Sequence, residues 1–199
     1  MMLVEETTVP AAALPIAAFK DHLRLGTGFS EDTIQDSVLE GFLRAAVAAI
    51  EARTGKVLIQ RDFAWTISVW REARGQALPA APVTAVVEVG LTDRLGEVEL
   101  VDPSLFRLEE DTQRPRLVPT GFLLPSIPLG GSAEVTFTAG YAASWEELPS
   151  DLGQAVLLLA AHYYEYRHET SLGQGCMPFG VTCLIERYKT VRLIGGGAS

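Results

Sequence analysis

The stretch "HYYEYRHET", residues 162–170, gathers two of the three histidines of the chain, three tyrosines, an arginine and two glutamates. Glu165 and His168 stand three apart, the spacing at which two helical side chains share a face. A Glu-x-x-His pair of this kind is what one helix contributes to a di-iron carboxylate bundle. That chemistry needs a second such pair on another helix and further glutamates. The other long helical segment offers Glu40 and Glu51 but no histidine, so no metal site is expected. The stretch reads as the polar end of a packed helix. The rings of Tyr163, Tyr164 and Tyr166 pack while their hydroxyls reach the rim, and Arg167 and His168 suit a helix C-terminus.

Other catalytic signatures are absent. The sequence contains no G-x-S-x-G elbow. Its glycine-rich runs, GTG at 26–28 and GGG at 195–197, lack the strand, helix and lysine of a phosphate loop. The acids are scattered, and no carboxylate pair is singled out. The two cysteines, Cys176 and Cys183, match no zinc spacing and read as reduced thiols. We therefore expect no catalytic residue, no cofactor and no metal.

Composition narrows the partners. With 16 basic and 25 acidic residues the net charge is −9, and no basic block offsets it. Binding to a phosphate backbone needs concentrated lysine and arginine, so specific DNA or RNA binding is not expected. No apolar run approaches the roughly 18 residues of a membrane span. A chain that is 48% hydrophobic can build a proper core.

The elements follow a helix, sheet, helix order. Residues 15–25 carry Ile16, Phe19 and Leu23 on one stripe, with Gly26 as a stop. Residues 31–54 follow Ser30 as an N-cap, and Glu31 and Asp32 favour the first turn. Ile34, Val38, Leu39, Phe42, Leu43, Ala46, Ala49 and Ile50 hold helical spacing, and Gly55 ends the helix. The period then becomes two. Phe63, Trp65, Ile67 and Val69 point one way, and Ala64, Thr66 and Ser68 the other. Further strands are expected at 83–91 and 132–141, with short ones between. Prolines 115, 119, 125 and 128 are confined to edges and turns. Helical spacing returns over 151–167, with Asp151 and Gln154 in a capping-box arrangement. The segment from Val156 to Ala161 is apolar all round, as expected of a buried helix.

The predicted class is α+β: an N-terminal helical pair and a long C-terminal helix packed with an inserted small antiparallel sheet at about 57–141. Residues 1–13 are expected to be a flexible arm rather than a signal peptide. Residues 14–175 are expected to form one domain, and 176–199 a docking tail. In that tail Val181, Leu184, Ile185, Tyr188, Val191, Leu193 and Ile194 form an apolar stripe too short to fold alone. It packs either on its own subunit or on a partner, with Arg187, Lys189 and Arg192 at the rim.

Four ordered motifs resemble the tailed-phage head–tail connector (adaptor) proteins, including those of gene transfer agents. They are "FKDHLRL" (19–25) with the acidic helix start and "TG" turn of residues 30–63; the proline-preceded strand "APVTAVVEV" (81–89); "AEVTFTAGYA" (133–142) with the following "LPSDLGQAVLLLAAHYYEYR" (148–167); and "PFGVTCLIERYKTVRL" (178–193). The segment 57–141 is larger than in the mostly helical connectors. The resemblance implies a structural protein made in the bacterial cytoplasm and carried in the particle neck. It would form a ring, commonly of about twelve copies, beneath the portal protein. The ring would extend the DNA channel, let DNA pass without specific binding, and meet a tail-side completion or stopper protein. It implies that the stripe Val181 to Ile194, with Arg187, Lys189 and Arg192, binds the portal or a neighbouring subunit. On that reading, deleting 178–199 should leave a folded protein. The alternative is a small cytosolic enzyme or ligand-binding domain with a pocket between sheet and helices.

Overall fold

The computed structural model describes residues 1–24, 35–167 and 177–189. It is α+β, and the chain divides into two compact units. One comprises Met1–Pro15 with Val57–Pro149, the other Ile16–Lys56 with Ser150–Ser199. The chain leaves the helical unit at Lys56 and re-enters it at Ser150.

The first unit holds every strand among the described residues. They are β1 (Met2–Glu5), β2 (Arg61–Ile67), β3 (Gln76–Ala77), β4 (Val83–Thr92), β5 (Val98–Leu100), β6 (Phe106–Glu109), β7 (Arg116–Pro119) and β8 (Ser132–Ala139). Instead of one sheet there are two, ordered β1-β2-β8-β4-β5 and β3-β7-β6, and all pairings between these strands are antiparallel. The alternation read in the sequence holds: Phe63, Trp65 and Ile67 are buried, as are Ala133, Val135, Phe137 and Ala139 on β8. Both sheets feed one core, where these side chains meet Phe106, Leu117 and Leu124. Phe63 and Phe137, directly opposed across β2 and β8, stack at 5.7 Å. Val69 is exposed because the strand has already ended at Ile67.

The N-terminal segment is not simply an arm. Met2–Glu5 forms a strand on the sheet edge, in register with Phe63 to Thr66. Arg61 locks it there by an ion pair to Glu5 at 2.8 Å, and Thr7 Oγ1 accepts the Asp62 N–H. The short run of apolar residues paired with a strand 60 positions away, which no local signal announces.

Gly140, in the "AGY" of the sequence motif, has a structural reason. Its φ is +146°, and a Cβ built on it would lie 2.5 Å from Gln60 N and Cα. Only glycine lets the backbone after β8 cross so close to the backbone before β2, where Ile59 and Ala142 form a parallel bridge.

The second unit is helical: α1 (Ile16–His22), α2 (Asp36–Thr54), α3 (Ser150–Glu165) and α4 (Phe179–Ile185). Of the expected caps, Ser30 and Gly26 lie outside the described residues. Gly55 does end α2, with φ +71° and its N–H donating to Glu51 O at 2.8 Å. Thr54 before it folds its hydroxyl back to Ile50 O, which accounts for the "TG" pair. The stripe of α2 is buried at Leu39, Leu43, Ala46 and Ile50, whereas Val38 is half exposed. α3 buries Leu152, Ala155, Val156, Leu159 and Ala160, and it packs against both α2 and α4.

Candidate assembly surface

The helix end that opened the question can now be placed. Tyr164 meets Phe42 of α2 edge-on at 5.9 Å, and the Arg167 guanidinium lies over the Tyr164 ring at 4.4 Å. Arg167 also donates to Tyr164 O at 2.7 Å. His162 sits against Tyr166 at 4.7 Å. Burial pushes the Tyr163 phenol above its ordinary range. These side chains are engaged with one another and with α2, as a packed helix end requires. His168 lies outside the described residues. Among the described residues no three metal-ligating side chains come together.

The C-terminal segment behaves differently from a free tail. Pro178 precedes α4, and Thr182 Oγ1 donates to Pro178 O in its first turn. Of the ten residues singled out in the sequence, Val181, Ile185 and Tyr188 are buried within the helical unit, the first two completely. The helical period turns Leu184 and Lys189 to half-buried positions and Arg187 to an exposed one. Val191, Arg192, Leu193 and Ile194 lie outside the described residues, as does Cys176. Cys183 is an exposed free thiol.

One polar network fastens this segment down. Tyr188 Oη donates to Asp151 Oδ1 at 2.7 Å, and Arg187 reaches Asp151 Oδ2 at 2.9 Å. Arg187 also donates to Tyr188 Oη and lies over its ring at 4.7 Å. Desolvation raises the Tyr188 phenol; Arg187 opposes that and Asp151 reinforces it. Lys189 pairs with Glu186. Asp151 was expected only as a cap for α3. Its carboxylate accepts the Leu152 N–H at the start of the helix and also anchors Tyr188, 37 positions on, a link invisible to any local pattern. Removing 178–199 would remove Val181, Ile185 and Tyr188, all three buried in the helical unit.

Two further surfaces stand out on the sheet unit. The face of the five-stranded sheet turned from the core carries Asp62, Glu88 and Glu134 among threonines. Thr138 Oγ1 donates to Asp62 and Thr66 Oγ1 to Glu134. The strands place no lysine or arginine on this face. The outer strands are apolar and open: Met2 is 61% exposed at one edge, and Val98 and Leu100 are 63% and 61% exposed at the other.

No protein-family model matches the chain, and no curated protein matches it. Solved structures do. A chain in the structure described as "Neck of empty GTA particle computed with C6 symmetry" is 52% identical with a TM-score of 0.89, over 98% of this chain and 99% of that one. A chain in "Virion of native gene transfer agent (GTA) particle" is 52% identical with a TM-score of 0.86 at the same coverage. This chain belongs to the head–tail connector (adaptor) family that includes the gene transfer agent adaptors. A third match, in "Neck of native GTA particle computed with C12 symmetry", is 49% identical with a TM-score of 0.85. At such identity over nearly the whole of both chains, the likeness covers both the sheet unit and the helical unit.

Proposed function

We propose that this chain is the structural, non-enzymatic adaptor of a tailed phage or phage-like particle. It sits in the neck as a ring beneath the portal protein, extends the DNA channel and docks the tail through a completion or stopper protein. The observation that carries this reading is the end-to-end match to chains in gene transfer agent necks. The twelvefold symmetry of one of those necks supports a ring of twelve neighbouring copies. The acidic sheet face supports a conduit that DNA crosses without sticking, since like charge keeps phosphate off the wall. No helix among the described residues is long and apolar enough to cross a membrane.

Portal docking is assigned to the C-terminal segment, in a form that the packing refines. Val181, Ile185 and Tyr188 hold α4 on its own subunit. Leu184, Arg187 and Lys189, with Val191, Arg192, Leu193 and Ile194 beyond them, meet the portal or a neighbour. Arg187, which keeps its pair with Asp151, Lys189, which keeps its pair with Glu186, and Arg192 meet acidic partner groups at the rim, where charge complementarity guides register.

The test is a chromosomal deletion of the gene followed by electron microscopy of released particles. DNA-filled heads without tails are expected, and a plasmid copy should restore tails. Normal tailed particles from the deletion strain would refute the role.

A further inference from the structure

Both outer strands of the five-stranded sheet leave a hydrogen-bonding edge open, and the inner bonds fix the phase of each. Glu6 N–H donates to Asp62 O at 2.9 Å. Bonded pairs alternate along an antiparallel ladder. Val4 and Met2 therefore turn their N–H and C=O groups inward, toward Ala64 and Thr66, and Leu3 and Glu5 turn theirs outward. At the far edge Asp93 N–H donates to Glu97 O, and Val101 N–H to Val89 O. Glu99 therefore faces inward to Leu91, while Val98 and Leu100 present their backbone groups outward. Each edge thus offers two open donors and two open acceptors.

Natural sheets blunt exposed edges with proline, lysine or a bulge. Neither Met2–Glu5 nor Val98–Leu100 contains a proline or lysine, and neither pairing is interrupted by a register shift. Leu3 and Val4 remain 41% and 39% exposed, and Val98 and Leu100 more so. Such edges are built to be covered.

We propose that they cover each other: the Met2–Glu5 edge of one copy takes the Val98–Leu100 edge of the next. This rests on the ring reading above and names its subunit contact. A cyclic ring needs a heterologous interface, two different patches carried by every copy. Opposite edges of one sheet are such a pair. Pairing β1 with β1 would instead close at two copies and use up the edge. Four antiparallel steps separate β1 from β5, so the two strands run in the same sense and in-line sheets meet in parallel. Charge permits the contact, because Glu5 is already compensated by Arg61 and does not face Glu99 as a bare charge.

The experiment uses particles whose chromosomal gene carries Cys176→Ser and Cys183→Ser, with Val4→Cys and Leu100→Cys, whose side chains the registers put on one face of the sheet, added singly or together. After mild oxidation the double variant should give a ladder of dimers, trimers and higher multimers on a denaturing gel. Each single variant should stay monomeric. Absence of the ladder, with the chain present in particles at normal amount, overturns the edge contact and leaves the neck assignment standing. Absence of the chain from particles overturns both. In parallel, Leu3→Pro removes an outward N–H while sparing the inner pairs, and Leu3→Lys adds a charge to the same edge without altering the backbone. Folded protein with at least a tenfold drop in tailed particles is expected from both. Normal yield from folded Leu3→Lys, whatever Leu3→Pro does, refutes the proposal.

Discussion

Replacing Ile185 with alanine separates the two roles of the C-terminal segment. Ile185 is completely buried in the helical unit, next to the half-buried Leu184. Truncating a fully buried isoleucine costs about 2–5 kcal/mol, the higher figures applying where the cavity cannot collapse. Here α4 is held on one side by Tyr188 and Arg187 on Asp151, which limits collapse. The upper half of that range, about 3–5 kcal/mol, is the expectation. For a chain of this size each kcal/mol lowers the melting temperature by about 2–4 °C, so a drop of roughly 6–20 °C should appear in a thermal melt followed by circular dichroism. Leu184→Ala removes a side chain that is only partly withdrawn from water. It should cost about 1 kcal/mol or less, yet impair tail attachment if Leu184 meets the portal. The assay pairs the melts with counts of tailed particles. Equal melting of Ile185→Ala and the parent protein would refute the burial argument. Equal loss of stability in both variants would show that Leu184 too belongs to the core and not to a docking face.

Leu159→Ala, at a buried position of α3, should cost about 2–5 kcal/mol by urea denaturation, and Leu158→Ala, half-buried on the same helix, clearly less. Gly140→Ala forces a Cβ to within 2.5 Å of the Gln60 backbone at a φ of +146°. A loss of roughly 2–6 kcal/mol is expected from strain and overpacking together, and soluble Gly140→Ala with an unchanged melt would contradict the close approach. The folded pKa values of Tyr163 and Tyr188 are raised, so the unfolded chain loses these protons first. Their contribution is fully present below the ordinary tyrosine value near 10 and is lost as pH rises through the folded values. Stability should therefore fall above about pH 10, and the double variant Tyr163→Phe, Tyr188→Phe should flatten that fall.

The parts of the fold that were legible in the sequence are those whose cause is local. The alternation of Phe63, Trp65 and Ile67, the glycine stop at Gly55 and the apolar run of α3 depend on residues within a few positions. Each appears where its pattern puts it. What escaped depends on partners far away in the chain. Met2–Glu5 looks like an untethered arm until Arg61 and the β2 backbone are beside it. Asp151 looks like a helix cap until Tyr188 arrives. The division into two sheets was hidden because β3, β6 and β7 are two to four residues long, too short for a period to register.

The same distinction bears on the assembly surface. An apolar stripe read from spacing says that something will cover it, not what. In the C-terminal segment the cover is internal for Val181, Ile185 and Tyr188, so the stripe cannot serve as a wholly free docking tail. At the sheet edges no described residue covers Leu3, Val4, Val98 and Leu100, and the backbone groups of Leu3, Glu5, Val98 and Leu100 point outward in matching number. On the proposed reading, the buried stripe sets where the segment leaves its subunit, and the open edge is where the next copy attaches.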